Sequence, residues 1–331
     1  MITYIDLLKW FIENQEKINN SIVRDVFSIK NGLVLEIYKK DLEKRYLYII
    51  PGKIIFLSDK KLEKIKNKFS DKLKKDLINK KIQISLEDDK ILIIESENIK
   101  IYCELIPNGL IVVTDMENKI LYATKYKDFG YRKIKSNEKY LKPPKNFIVA
   151  IEISKFKEKL EKTNKKDIVR FLAIDLGLSG KYAEYILENL NIEKSKSPKD
   201  LSDTEIVNIF NLYKNLFEKK EVLYENQWYS DVNSLFEKIY FDEEIENKKK
   251  IIEKKKEEIK KILEDQKQKL SDFEEEIKNL MDIANLIKEN YWIFQDYNIE
   301  NIEKFLKSKN LDFSVEKKDG KIFIKIKNIN S

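Results

Sequence analysis

Residues 167–193 read DIVRFLAIDLGLSGKYAEYILENLNIE. Ile168, Phe171, Leu172 and Leu176 recur at the three- and four-residue steps of a helix that buries one face. Tyr182, Ile186, Leu187 and Leu190 repeat the pattern after an interruption. Gly177 and Gly180 bracket that interruption. Only 7 of 331 residues are Gly, so two within four positions point to a turn that needs positive φ. The expected unit is a helix, a tight hairpin and a second helix. Such a unit presents backbone N–H groups at a helix N-terminus, which suits a phosphate. An ordinary helical hairpin inside a core fits the local pattern equally well.

Upstream, residues 3–15 read as an amphipathic helix with Ile5, Leu8, Phe11 and Ile12 on its apolar face. Residues 22–29 and 33–38 alternate around Asn31-Gly32, a strong hairpin signal, and residues 45–50 and 53–57 do so around Pro51-Gly52. Residues 62–78 read as a Lys-rich helix, and strands are expected at 81–86, 90–95, 99–105, 110–115 and 120–125. The fold class is therefore α+β, a mostly antiparallel sheet with flanking helices. Residues 128–146 hold few apolar anchors and the pair Pro143-Pro144, and read as a linker. Helices follow over 155–217, with Ser202-Asp203-Thr204-Glu205 as a helix start.

From Ile245 to Phe294 the apolar residues fall at heptad spacing. One set is Ile245, Ile252, Ile259, Phe273, Leu280, Ile287 and Phe294; the other is Leu263, Leu270, Ile277, Ala284 and Tyr291. A helix of that length is expected to be a coiled-coil arm that needs a partner, because the chain has no second long heptad segment. A short helix at 298–309 and a hairpin around Asp319-Gly320 follow. The expected division is 1–142, an α+β domain; 143–235, the helix-hairpin-helix domain; 236–297, the arm; and 298–331, the arm tip.

The net charge of +7 fits an anionic partner without proving one. The basic residues are almost all Lys, and the only Arg are Arg24, Arg45, Arg132 and Arg170. There is one Cys, Cys103, and no His, which rules out an internal disulfide and removes most zinc sites and Ser-His-Asp or Cys-His catalysis. Cys103 reads as a small buried hydrophobe. No apolar run is long enough for a membrane helix, the N-terminus lacks a signal-peptide core, and a cytoplasmic location is expected. No cofactor, metal site or membrane partner is expected.

Four further stretches carry a resemblance. Residues 176–194, LGLSGKYAEYILENLNIEK, resemble the Leu-Gly-Leu-Gly-Gly-x-Tyr-Ala-Glu-Glu-Ile run of the NFACT family, the RqcH- and NEMF-like factors also called fibronectin-binding protein A N-terminal. Residues 73–94, LKKDLINKKIQISLEDDKILII, resemble its Leu-Arg-Lys-His-Leu run and following Phe-Asp-Arg-Ile-Val. GLIVVTDMENKILYA at 109–123 resembles its strand pair, and YLKPP at 140–144 its Tyr-x-x-Pro-Pro. Each motif is weak alone; their order and the long heptad segment make the match specific.

The resemblance implies a ribosome-associated quality control factor. Such proteins bind the large ribosomal subunit carrying stalled peptidyl-tRNA and engage tRNA for template-free C-terminal tailing. The ribosome makes the peptide bond, so the chain itself is not expected to be an enzyme. It also implies tRNA-binding roles for Asp6, Asp89 and Lys90. Lys90 departs from the family, which has Arg there, and so lacks the planar bidentate fork. On residue types alone, Asp6 reads as a carboxylate at a helix N-terminus and Asp88-Asp89-Lys90 as a turn. Gly177, Ser179, Gly180 and Lys181 are candidates for holding an RNA phosphate. Lys runs at 64–75 and 248–256 read as solvated faces. Tyr126, Phe129 and Tyr131 interleave with Lys125, Lys127, Arg132 and Lys133 and could stack on bases. The resemblance covers the N-terminal half of the family only. The second coiled-coil arm and the NFACT-R domain are thus expected from a separate chain, unless this one is a fragment. Two alternatives are a non-tailing coiled-coil scaffold and DNA glycosylase-like nucleic-acid binding. The second is disfavoured by Ile2 in place of an N-terminal Pro nucleophile and by the missing His and clustered Cys.

Overall fold

The apolar alternation becomes strands in the computed structural model, which describes residues 2–40, 43–87, 90–145, 147–295 and 297–329. After α1 (Tyr4–Ile18) come β1 (Ser21–Ile29), β2 (Gly32–Lys39), β3 (Glu43–Ile50) and β4 (Ile54–Ser58). After α2 (Lys68–Leu77) come β5 (Lys81–Glu87), β6 (Ile91–Ser96), β7 (Ile99–Glu104), β8 (Ile111–Thr114) and β9 (Ile120–Ala123). They form one sheet in the order β4-β3-β2-β1-β5-β6-β7-β8-β9, antiparallel throughout. It is two meanders joined at β1 and β5, where only Ser21 with Ile82 and Ile22 with Lys81 are in register. The expected α+β class is the observed one.

Strands β6 to β9 are apolar on both faces. Leu92, Ile94, Ile101, Cys103, Ile111 and Val113 face the main core, with Leu7 and Trp10 of α1. Ile91, Ile93, Tyr102, Val112 and Ile120 face the other way, and something must cover them. Ile134 and Tyr140 do so, Ile134 from the short strand β11 (Lys133–Ile134), which pairs with β10 (Lys127–Asp128). Residues 128–141, read in the sequence as part of a linker, are therefore a packed cover on the sheet. Buried Arg132 donates to buried Glu104 from both guanidinium NH groups, at 2.5 and 3.0 Å. Glu104 also accepts from the Tyr140 hydroxyl at 2.9 Å and the Leu110 amide at 3.1 Å. Tyr140 stacks on Tyr102 at 4.1 Å.

The Lys-rich helix is shorter than its sequence suggests. Residues 59–67 stay outside it although Leu62 and Ile65 keep helical spacing with Phe69, because Leu62 packs on the main core and Ile65 is bridged to Ser28 as extended backbone. Asn67 then caps α2, accepting from the Phe69 amide at 2.8 Å.

A second core gathers α3 (Ile153–Lys162), α4 (Ile168–Arg170), a π-helical turn (Phe171–Asp175), α5 (Ser179–Asn189) and α6 (Asp203–Glu218). Ser202 and Glu205 form the capping box expected of α6. Ile5 of α1 belongs to this core, so α1 is the wall between the two. A hairpin of β12 (Val222–Tyr224) and β13 (Gln227–Tyr229) leads to the 58-residue helix α7 (Val232–Glu289). Its first turns close the sheet core with Val232, Leu235, Phe236 and Tyr240. Asn233 fixes them: it accepts from the Trp10 indole at 3.0 Å and pairs with the Leu57 backbone at 2.7 and 2.8 Å.

The chain forms two units, Met1–Glu244 and Ile245–Ser331. In the second, α7 exposes Ile245, Ile252, Ile259, Leu263, Leu270, Phe273, Ile277 and Leu280, the heptad positions. The helix stops at Glu289, and Phe294 falls instead in a short helix, α8 (Tyr291–Gln295). Phe294 packs with Ile302 and Leu306 of α9 (Ile299–Ser308), beneath the hairpin β14 (Leu311–Lys318) and β15 (Lys321–Ile329). No helix of the described residues is long and apolar enough to cross a membrane.

Candidate functional site

The first turn of α1 forms a capping box: Thr3 Oγ1 accepts from the Asp6 amide at 3.1 Å, and Asp6 Oδ2 accepts from the Thr3 amide at 2.8 Å. Asp6 is only 2% exposed. Its carboxylate accepts from Lys181 Nζ at 2.9 and 2.7 Å and from the Tyr182 hydroxyl at 2.6 Å. Lys181 also donates to the Leu223 carbonyl at 2.7 Å, and Tyr182 accepts from the Leu223 amide at 3.1 Å. Asp6 and Lys181, assigned separate roles by sequence, are thus one ion pair, buried on the carboxylate side and partly exposed on the ammonium side. It locks α1, α5 and β12 together, and Asp6 has the helix N-terminal position its residue type implies.

Lys9, one turn on, is buried beside this pair. It donates to the Glu221 carbonyl and lies 5.7 and 5.8 Å from the Tyr182 and Trp228 rings. Burial, opposed by the Asp6 charge, pushes its amine down to about 8. The unfolded chain keeps that proton up to the ordinary 10.5, so between the two values the unfolded state binds more protons. This group therefore adds stability as pH rises above about 8, and the gain is lost again as pH falls through 8. Urea titrations at about pH 7 and about pH 9.5 should show wild type gaining about 2 kcal/mol relative to Lys9→Met. Parallel pH profiles for the two proteins would refute the assignment.

Asp89 lies outside the described residues. Lys90 takes a positive φ of 63° at the turn before β6, donating its amide to the Glu87 carbonyl at 3.2 Å. Burial lowers its amine, opposed by the Asp6 charge. Lys90 lines a cleft of about 360 Å³ with Pro107, Tyr131, Pro143, Lys145 and Phe147. Phe147 joins this cleft to the hairpin. Its ring lies 5.7 Å from Tyr4 and fills the space where Gly177 lacks a Cβ. Sequence reading missed Phe147 and Lys145 because they follow Pro143-Pro144, and missed Tyr182 and Lys9 as ordinary core and face residues.

Within the hairpin, Gly177 has φ +68° and a Cβ there would lie 2.5 Å from Phe147. Gly180 has an ordinary φ and a Cβ there would meet only Glu184 Oε1, at an ordinary 3.7 Å, so the expectation of positive φ at Gly180 is not met. Ser179 takes it instead, at 63°, where the resembled family run has Gly. Left-handed backbone costs an L-residue about 1–2 kcal/mol. Ser179→Gly is therefore expected to stabilise by about 1 kcal/mol and Gly177→Ala to destabilise by about 2 kcal/mol, with Gly180→Ala near neutral. Thermal melts of the three variants check this ordering.

A family model described as NFACT N-terminal and middle domains matches residues 15–242. An archaeal Rqc2 homolog, aRqcH of Methanocaldococcus jannaschii, is 30% identical over 260 residues, which is 70% of this chain and 38% of that protein. The chain therefore spans well under half the length of that relative. Among solved structures, the N-terminal part of the fibronectin/fibrinogen-binding protein of Streptococcus suis superposes with a TM-score of 0.58 at 19% identity, covering 73% of this chain and 100% of that one. The N-terminal domain of the fibronectin-binding protein PavA of Streptococcus pneumoniae gives 0.50 at 19% identity, with the same coverage. At such identities the fold alone is shared.

Proposed function

Since the chain belongs to the NFACT family, we propose that it is an RNA-binding factor of ribosome-associated quality control. It binds the large ribosomal subunit holding stalled peptidyl-tRNA and engages tRNA for tailing of the nascent chain. The exposed heptad face of α7 pairs with a second heptad segment carried by a partner chain. The observation that carries the RNA reading is the cleft of Lys90, Lys145, Tyr131 and Phe147, which sets cations beside aromatic rings. Asp6 and Lys181 act there by positioning: their ion pair fixes α5, whose preceding turn carries Gly177 against Phe147. Asp89, Ser179 and Gly180 complete the proposed RNA-contacting set. Lys90 supplies charge without the bidentate fork of Arg, which keeps attraction to phosphate and loses the planar contact.

The test is an affinity purification at low salt of wild type and of Lys90→Ala from the native cell, with protein and RNA identified in the same eluate. Large-subunit proteins, tRNA and a second heptad-rich chain are expected with wild type, and tRNA is expected to fall in the variant. An eluate without ribosome or tRNA would leave the scaffold as the better reading.

A further inference from the structure

We propose that a second surface of the N-terminal unit, the groove holding Lys30, Lys125 and Lys127, binds the phosphodiester backbone of the same RNA. The proposal rests on the RNA-binding reading above. The groove has a volume of about 580 Å³ and is also lined by Asn67, Phe69 and Asn108. Asp and Glu make up 58 of the 331 residues, yet none lines it. Its three lysines come from two places distant in the chain, the β1–β2 turn and the segment after β9, and all three are exposed. Surface lysines of this chain commonly sit on carboxylates, as Lys64 and Lys74 do on Asp25. Lys30, Lys125 and Lys127 have no ion pair among the described residues. No carboxylate within ion-pair reach neutralises them, which favours a polyanion.

Two further features select a polymer. Asn67 opens the ten-residue helix α2 on this groove, so its positive dipole end adds to the lysines. Phe69, held edge-on by Tyr122 at 5.6 Å, offers a ring beside the charges. More important is what separates the groove from the Lys90 cleft. The β7–β8 turn is shared: Ile106 and Pro107 line the cleft, while Asn108 and Leu110 line the groove. That turn is held low because Gly109 has no side chain; a Cβ there would lie 2.1 Å from the Glu104 carbonyl. A strand seated in the cleft has only this turn to cross to reach the groove. The pattern of Lys125 and Lys127 among aromatics, read in the sequence as possible base stacking, is here a backbone contact.

The test compares wild type, the triple variant K30Q/K125Q/K127Q, and a matched variant K254Q/K255Q/K256Q that removes the same charge from an exposed face of α7. The probes are unfractionated tRNA and a uridine oligonucleotide, titrated across a range of salt. Each neutralised phosphate contributes about 0.7 to the salt slope on single strands and about 0.9 on duplex. The triple variant is expected to lose about 2 from the slope and to bind on the order of 100-fold more weakly at about 0.1 M salt. The matched variant should keep the wild-type slope, and all three should melt together. Equal slopes in wild type and triple variant would overturn the groove while leaving the Lys90 cleft intact. An equal loss in the matched variant would overturn it in favour of net charge. Loss of binding to phosphatidylserine vesicles with RNA affinity unchanged would overturn it in favour of a lipid surface. Absence of salt-sensitive RNA binding by wild type would remove the RNA reading itself.

Discussion

Asp6→Ala is expected to lower the unfolding free energy by about 4 kcal/mol, read as a fall in the urea midpoint. The carboxylate is buried, and three donors depend on it, the Thr3 amide, Lys181 and the Tyr182 hydroxyl. Removing it leaves the Lys181 ammonium partly buried without its counter-charge, and unmakes a helix cap worth about 1 kcal/mol. Asp6→Asn keeps the shape and the cap acceptor, so it should fall between. RNA binding by Asp6→Ala would also fall, but through the displaced α5 and its turn. A variant with an unchanged midpoint and no RNA binding would show instead that the carboxylate contacts the ligand directly.

Glu104→Gln is expected to cost about 3–5 kcal/mol, the usual penalty for leaving one member of a buried pair uncompensated. Glu104 and Arg132 are both nearly inaccessible, and the carboxylate holds the Arg132 guanidinium well above its ordinary value. Arg132→Lys should fail to rescue, because one ammonium cannot replace two parallel N–H donors. The cost should be local. Residues 127–141 are held on the sheet by this pair, by Tyr140 and by Ile134, so limited proteolysis should cut there first in both variants. Cutting elsewhere at the wild-type rate, with this segment still protected, would sink the account.

Much of the fold was legible because two periods dominate it. The two-residue alternation around Asn31-Gly32 and Pro51-Gly52 gave the first meander nearly to the residue. Heptad spacing gave the long helix, though not its stop at Glu289. What failed was the segment 128–146. Its anchors are an arginine, a glutamate partner and a tyrosine, which no apolar pattern reveals, and the need for a cover appears only once β6 is seen to be apolar on both faces. The site was legible as separate pieces. Asp6 and Lys181 are 175 positions apart, and nothing in either local motif says that one neutralises the other. Ser179 shows the opposite limit: its polar, ordinary character hides a backbone that a Gly would fill more easily.

The position of α7 bears on the order in which the protein can be made. Strands β1 to β4 pair in chain order, and only the Ser21-Ile22 end of β1 and a bridge at Ser28 reach beyond them, so this meander can close while the ribosome is still adding the rest. Its core cannot. Val232, Leu235, Phe236 and Tyr240 complete that core, and Asn233 ties it to Trp10, 223 positions earlier. Until synthesis passes residue 240, the strands stand with Phe56 and Tyr48 uncovered by their partner Tyr240. The nascent protein thus carries an open apolar face through most of its first unit's translation, and its commitment to the native state comes late and all at once.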